Sequence, residues 1–167
     1  MKLTRRTSIA LAAAAMTSLS MTPAFAGTTV HASLWDKGDS SMAMLGTAAP
    51  MGMGMMGDMT MAMLGITLDM TEVPAGEITF EATNDSKTMI HEMVLAPITD
   101  LNTPMPYDTE NEKVDEDAAG HLGEVAELEP GASGALTLTL DPGTYILYCN
   151  IPGHYTLGMW TTITVTQ

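Results

Sequence analysis

In the stretch YCNIPGHYTLGMW (148–160), Cys149, His154 and Met159 follow one another at intervals of five residues. A thiolate, an imidazole and a thioether are soft or borderline donors, and one short loop carrying all three can close around a single transition metal. A plainer reading also fits: a buried cysteine, a surface histidine and a core methionine that happen to be neighbours. Cys149 is the only cysteine among 167 residues. It can form no internal bridge, so it must be buried, catalytic, intermolecular or bound to metal.

A fourth donor is offered by His91 in TMIHEMVL, inside a strand pattern that puts it on one face with Met89, Met93 and Leu95. A histidine buried on that apolar face needs partners for its ring nitrogens. Alone it suits a hydrogen-bonded core histidine; with Cys149, His154 and Met159 in the same chain it suits a metal ligand. Two neutral imidazoles, a thiolate and a weak axial thioether are the donors of a type 1 copper site. Pro152-Gly153 turns and stiffens the chain before His154, and Gly158 turns it again before Met159. Tyr148 and Trp160 bracket the loop and are expected to shield the metal from water.

The elements that must hold this loop are strands. Ile78, Phe80 and Ala82 alternate with polar residues in EITFEAT, Leu136, Leu138 and Leu140 alternate with threonine, and Ile163 and Val165 do so near the C-terminus. Less regular strands are expected at 29–35, 65–70, 89–96 and 143–149, with turns at Pro74-Ala75-Gly76, Asn84-Asp85-Ser86, Pro130-Gly131 and Asp141-Pro142-Gly143. Seven or so short strands describe an all-β sandwich or barrel.

Two segments break the pattern. Residues 41–64 form a methionine-rich insertion holding Met42, Met44, Met51, Met53, Met55, Met56, Met59, Met61 and Met63, with the pentapeptide MAMLG repeated at 42–46 and 61–65. It is expected to hang from the sandwich as a mobile loop whose deletion leaves the fold untouched. Residues 97–130 are expected as an acidic surface loop with a helical turn near 114–120.

The N-terminus has the layout of an export signal: Lys2, Arg5 and Arg6, then an apolar stretch, then Ala24-Phe25-Ala26 as a cleavage site. Cleavage after Ala26 leaves residues 27–167 as one periplasmic domain. No stretch approaches the ~20 apolar residues of a membrane span. Losing the three basic residues of the signal takes the formal charge from −14 to −17. Such acidity disfavours nucleic acid and favours basic partners or cations.

On Cys149-x4-His154-x4-Met159, the upstream His91 in IHEMVLAP and the β-rich chain, the sequence resembles the cupredoxin (plastocyanin/azurin) family. The loop spacing is similar to that of its rusticyanin, auracyanin and sulfocyanin branches, and the resemblance spans roughly 65–167 with the first strand. It implies an eight-stranded Greek-key sandwich, one copper held by His91, Cys149, His154 and Met159, and His154 as the solvent-facing ligand through which electrons pass. Glu92 stands where many relatives carry asparagine. The methionine tract resembles those of periplasmic copper-tolerance proteins.

Two functions follow. One is a monomeric one-electron carrier whose partner is a cytochrome or oxidase with a basic docking surface. The other is a copper-handling protein that meets an exporter or chaperone and collects Cu(I) on its nine methionines, since thioethers prefer Cu(I). His31 and His121 could add ligands or be plain surface histidines. An oxidase or nitrite reductase needs further histidine-rich sites, and four histidines are too few; no other catalytic motif is present.

Overall fold

Alternation along the strands sorts the side chains into an inner and an outer set. The computed structural model describes residues 27–167; the expected export signal, 1–26, lies outside them. In chain order the elements are β1 (Thr28–Asp36), β2 (Leu64–Leu68), β3 (Glu72–Pro74), β4 (Gly76–Asn84) and β5 (His91–Ile98). There follow a short hairpin of β6 (Tyr107–Asp108) and β7 (Lys113–Val114), helix α1 (Glu116–Ala119), β8 (Gly123–Leu128), β9 (Ser133–Leu140), β10 (Gly143–Tyr148) and β11 (Trp160–Thr166). Each of the seven expected strands is present. β3, β6, β7 and β8 are additional: EVP is only three residues long, YD and KV two each, and GEVAEL buries only Val125 and Leu128.

One sheet has the order β2-β1-β4-β9 and the other β3-β11-β10-β5-β8. Their facing sides form a β-sandwich. Val30, Ala32 and Leu34 of β1 and Ile78, Phe80 and Ala82 of β4 meet Met93 and Leu95 of β5, Leu147 of β10 and Ile163 and Val165 of β11 in one cluster. Most of these side chains are wholly buried, each worth about 1.5–3 kcal/mol of transfer free energy.

The second sheet is covered on its other face too. Val94, Ala96, Ile146 and Tyr148 form an outer cluster with Met53, Met105, Val114 and Tyr155. This explains why MVLA and YILY read as continuous apolar runs: a strand buried on both faces has no reason to alternate.

The cover corrects one expectation. The methionine-rich segment does not hang free. Met51 and Met53 are each 2% exposed. The Met51 N–H donates to the Thr156 carbonyl at 2.7 Å, and the Trp160 Nε1–H donates to the Met51 carbonyl at 2.7 Å. Met42, Met44, Leu45 and Met63 pack against the inner core. Two short 3-10 turns, Asp39–Met44 and Met59–Met61, supply the local structure. Thioether side chains are flexible enough to fill such irregular gaps, and that accounts for their use here without strand or helix periodicity.

The acidic segment is likewise more than a loop. It holds the β6–β7 hairpin, α1 in the place of the expected helical turn, and β8, which pairs antiparallel with β5. Asp115 caps α1 by accepting from the Ala118 N–H. Among the described residues no helix is long and apolar enough to cross a membrane.

Candidate metal centre

β10 ends at Tyr148, and β11 returns antiparallel from Trp160, so the intervening eleven residues form a loop at one end of the sandwich. The Cys149 N–H donates to the Met159 carbonyl at 3.0 Å, and the Met159 N–H donates to the His154 carbonyl at 3.1 Å. The loop is thereby folded back on itself. Gly153 (φ 81°) and Gly158 (φ 98°) occupy left-handed backbone conformations at the two turns.

β5 brings His91 to the same place. His91 Nδ1 lies 3.2 Å from His154 Nδ1, and His154 Nδ1 lies 3.3 Å from Cys149 Sγ. All three donor atoms fall within 4.8 Å of one another, and all three residues are buried. Donors about 2.0–2.3 Å from a shared ion in a trigonal plane would stand roughly 3.5 Å apart, so the spacing fits one small transition metal. Met159, 0% exposed, lies in the inner cluster beside Cys149.

The protonation states suit that chemistry. Burial lowers His154 to about 4, helped by the neighbouring His91, and burial lowers His91 against the pull of Asp36. Both imidazoles are therefore neutral near pH 7 and offer a lone pair. Burial pushes the Cys149 thiol up to about 12, opposed by the Glu92 and Ile151 N–H groups. A metal binding here must displace that proton. The Glu92 N–H donates to Cys149 Sγ at 3.5 Å, a contact that favours the thiolate.

Two expectations about shielding change. His154 is 3% exposed, so it is not a solvent-facing ligand. The segment 39–63 packs against the loop on both sides of it: a Cβ added at Gly153 would meet Leu45 Cδ2 at 2.8 Å, and one at Gly158 would meet Ala62 Cβ at 2.9 Å. Tyr148 belongs to the outer cluster, on the face opposite Cys149, and does not line the centre. Trp160 acts indirectly, through its bond to Met51 in the cover. His31 sits 3.2 Å from Glu81 on the exposed face of β1, and His121 is exposed, so neither joins the three donors.

Sequence reasoning missed three supports. Asp36, the last residue of β1, contacts His91 Nε2 at 3.1 Å. Asn150 grips the hairpin, accepting from the Val114 N–H at 2.7 Å and donating to the Val114 carbonyl at 3.0 Å. The Glu112 carbonyl accepts from the Gly153 N–H at 2.8 Å. Only Asn150 carried a signal, its place directly after Cys149.

Glu92 yields a pH prediction for the metal-free protein. Its side chain is buried, and Oε1 has no hydrogen-bond partner among the described residues. Burial raises its carboxyl from an ordinary 4.5 to about 7, against the pull of Lys113. Between those values the folded chain holds a proton that the unfolded chain has released. Stability should therefore fall as pH rises from about 4.5 to about 7 and stay lower above, a loss on the order of 3 kcal/mol. Glu92→Gln should flatten that slope and gain stability at pH 8. Urea unfolding of both proteins at pH 5 and pH 8 measures it, and parallel pH profiles would contradict it.

A two-sheet sandwich with two imidazole nitrogens and one thiol converging at one end defines a mononuclear, soft-donor metalloprotein. Comparison narrows the class: the copper-binding proteins of the plastocyanin/azurin family match residues 53–166, and the chain belongs to that family, the cupredoxins. Auracyanin-B of Chloroflexus aurantiacus is 47% identical over 51 residues, a stretch covering 30% of this chain and only 22% of that protein. The solved auracyanin B structure is 25% identical, covering 89% of this chain and 94% of its own, with a TM-score of 0.53. Rusticyanin from Thiobacillus ferrooxidans, 18% identical over 85% of this chain and 80% of its own, shares the fold with a TM-score of 0.51. Family and donor set together make copper the metal of this chain.

Proposed function

We propose that His91, Cys149 and His154 would hold one copper ion, with the Met159 thioether as a further, weaker donor, and that the protein carries single electrons in the periplasm. The convergence of the three donor atoms within 4.8 Å carries this reading. Bound copper supplies a one-electron couple between its two oxidation states. The chain supplies a fixed, dry cage: β5 sets His91, the β10–β11 loop sets the other donors, and the methionine-rich cover excludes water from His154. Donors held by packed strands reorganise little when the charge changes, which suits fast electron transfer.

A partner approaching this end meets the cover before it meets His154. Met56, Met59 and Met61 are the exposed methionines there, at 94%, 41% and 56%. On a chain carrying −17 after signal removal, that surface suits a cytochrome or oxidase with a basic face.

The same three exposed thioethers favour a second reading, copper tolerance by Cu(I) capture with hand-over to an exporter or chaperone. Deleting the tract would no longer separate the readings, because its buried part supports the fold. Leucine replacement does, since Met-to-Leu swaps keep volume at a cost under about 1.5 kcal/mol each. The test replaces the seven methionines that are exposed or only partly buried: Met42, Met44, Met55, Met56, Met59, Met61 and Met63. Both proteins are titrated with Cu(I) against a competing chelator. A carrier binds one equivalent in both forms and is reversibly reduced and reoxidised. A capture protein binds extra, weaker equivalents that the leucine variant loses.

A further inference from the structure

Among the described residues, Asp36 is the one carboxylate hydrogen-bonded to a converging donor residue, 55 residues from His91 in sequence and outside every motif of the metal loop. Its Oδ2 lies 3.1 Å from His91 Nε2, with the aspartate side chain 2% exposed and the histidine side chain 0%. The carboxylate is itself fixed: the Gly38 N–H donates to Oδ1 at 2.6 Å, and the Ser86 hydroxyl also hydrogen-bonds it. β1 is held in register here, with Asp36 opposite Leu64 of β2, and the Lys37 N–H donates to the Met63 carbonyl at 2.9 Å. The donor side of His91 faces the other way, its Nδ1 toward His154 and Cys149.

We propose that Asp36 is a positioning residue for the copper centre, fixing the tautomer of His91 and placing a permanent negative charge one imidazole ring behind the metal. The inference rests on the copper reading above. Its logic is chemical. A carboxylate can only accept, so it keeps the His91 proton on Nε2 and leaves the Nδ1 lone pair free for the ion. A buried anion at that distance also favours Cu(II) over Cu(I), because the extra positive charge is the better matched. Asp36 therefore lowers the reduction potential and tightens Cu(II) binding. It also ties the centre to the methionine-rich cover, since Asp36 ends β1 just before that segment starts at Asp39.

Two variants separate charge from orientation. Asp36→Asn keeps an acceptor oxygen for Nε2–H but removes the charge; it should retain the thiolate-to-copper band and show a higher reduction potential. Asp36→Ala removes both, and Cu(II) affinity should fall about ten- to hundredfold, the usual effect of losing such an outer partner. The measurements are redox titration and Cu(II) competition on the full mature chain, with thermal unfolding alongside. If Asp36→Ala does not fold, the potential of Asp36→Asn decides alone. A wild-type potential in Asp36→Asn, with only stability altered, would overturn the proposal and leave the copper reading standing. A wild-type protein lacking any thiolate band would overturn that reading as well.

Discussion

Cys149→Ser abolishes the intense visible absorption of the copper-loaded protein. That absorption requires charge transfer from a thiolate to Cu(II), and Cys149 is the only sulfhydryl in the chain. Sγ lies 3.3 Å from His154 Nδ1 inside a fully buried pocket, so no other anionic donor of the loop stands ready to replace it. A serine hydroxyl is harder and far less acidic, so copper should bind more weakly as well. The two buried imidazoles remain, so the variant should keep the fold and a residual colourless affinity. Visible spectroscopy on both proteins, loaded with one equivalent of copper, gives the answer. A Cys149→Ser protein that kept its colour would remove the centre from this loop.

Removing the buried thioethers of the cover destabilises the whole sandwich. Met51 and Met53 are each 2% exposed; Met53 fills the outer cluster with Tyr148 and Tyr155, and the Met51 backbone ties Thr156 to Trp160. Truncating a buried methionine to alanine costs about 2–5 kcal/mol through lost transfer energy and the cavity left behind. Against a typical total of roughly 5–15 kcal/mol, the pair Met51→Ala and Met53→Ala should leave the metal-free protein marginal or unfolded. The corresponding Met56→Ala, at a side chain 94% exposed, should cost almost nothing. Denaturant melts of the three proteins check this. Equal midpoints for Met53→Ala and Met56→Ala would return the segment to a loose appendage.

Much of this protein was legible without coordinates. Each of the seven strands was marked by local alternation or β-branched content, and turn residues marked most of the boundaries. The donors were legible because their chemistry is rare: one cysteine, two of four histidines, and fixed spacing on one loop. Those features are local, and side-chain type alone carries them.

The rest was decided by what lies across space. MAMLG occurs twice, yet Met42–Gly46 starts within a 3-10 turn and packs Leu45 over Gly153, whereas Leu64-Gly65 of the second copy begins β2. Identical sequence adopted two conformations because β1 pairs with the second copy and the metal loop lies beneath the first. Whether Met51 would be cover or free tail depended on Trp160, 109 residues away in the chain, and whether His154 would face water depended on that cover. Asp36 looked like the ordinary end of a strand until β5 set His91 Nε2 beside it. The amino-acid sequence determined which atoms could bind a metal; only tertiary packing decided which of them are dry, what stands behind them, and what a partner would touch first.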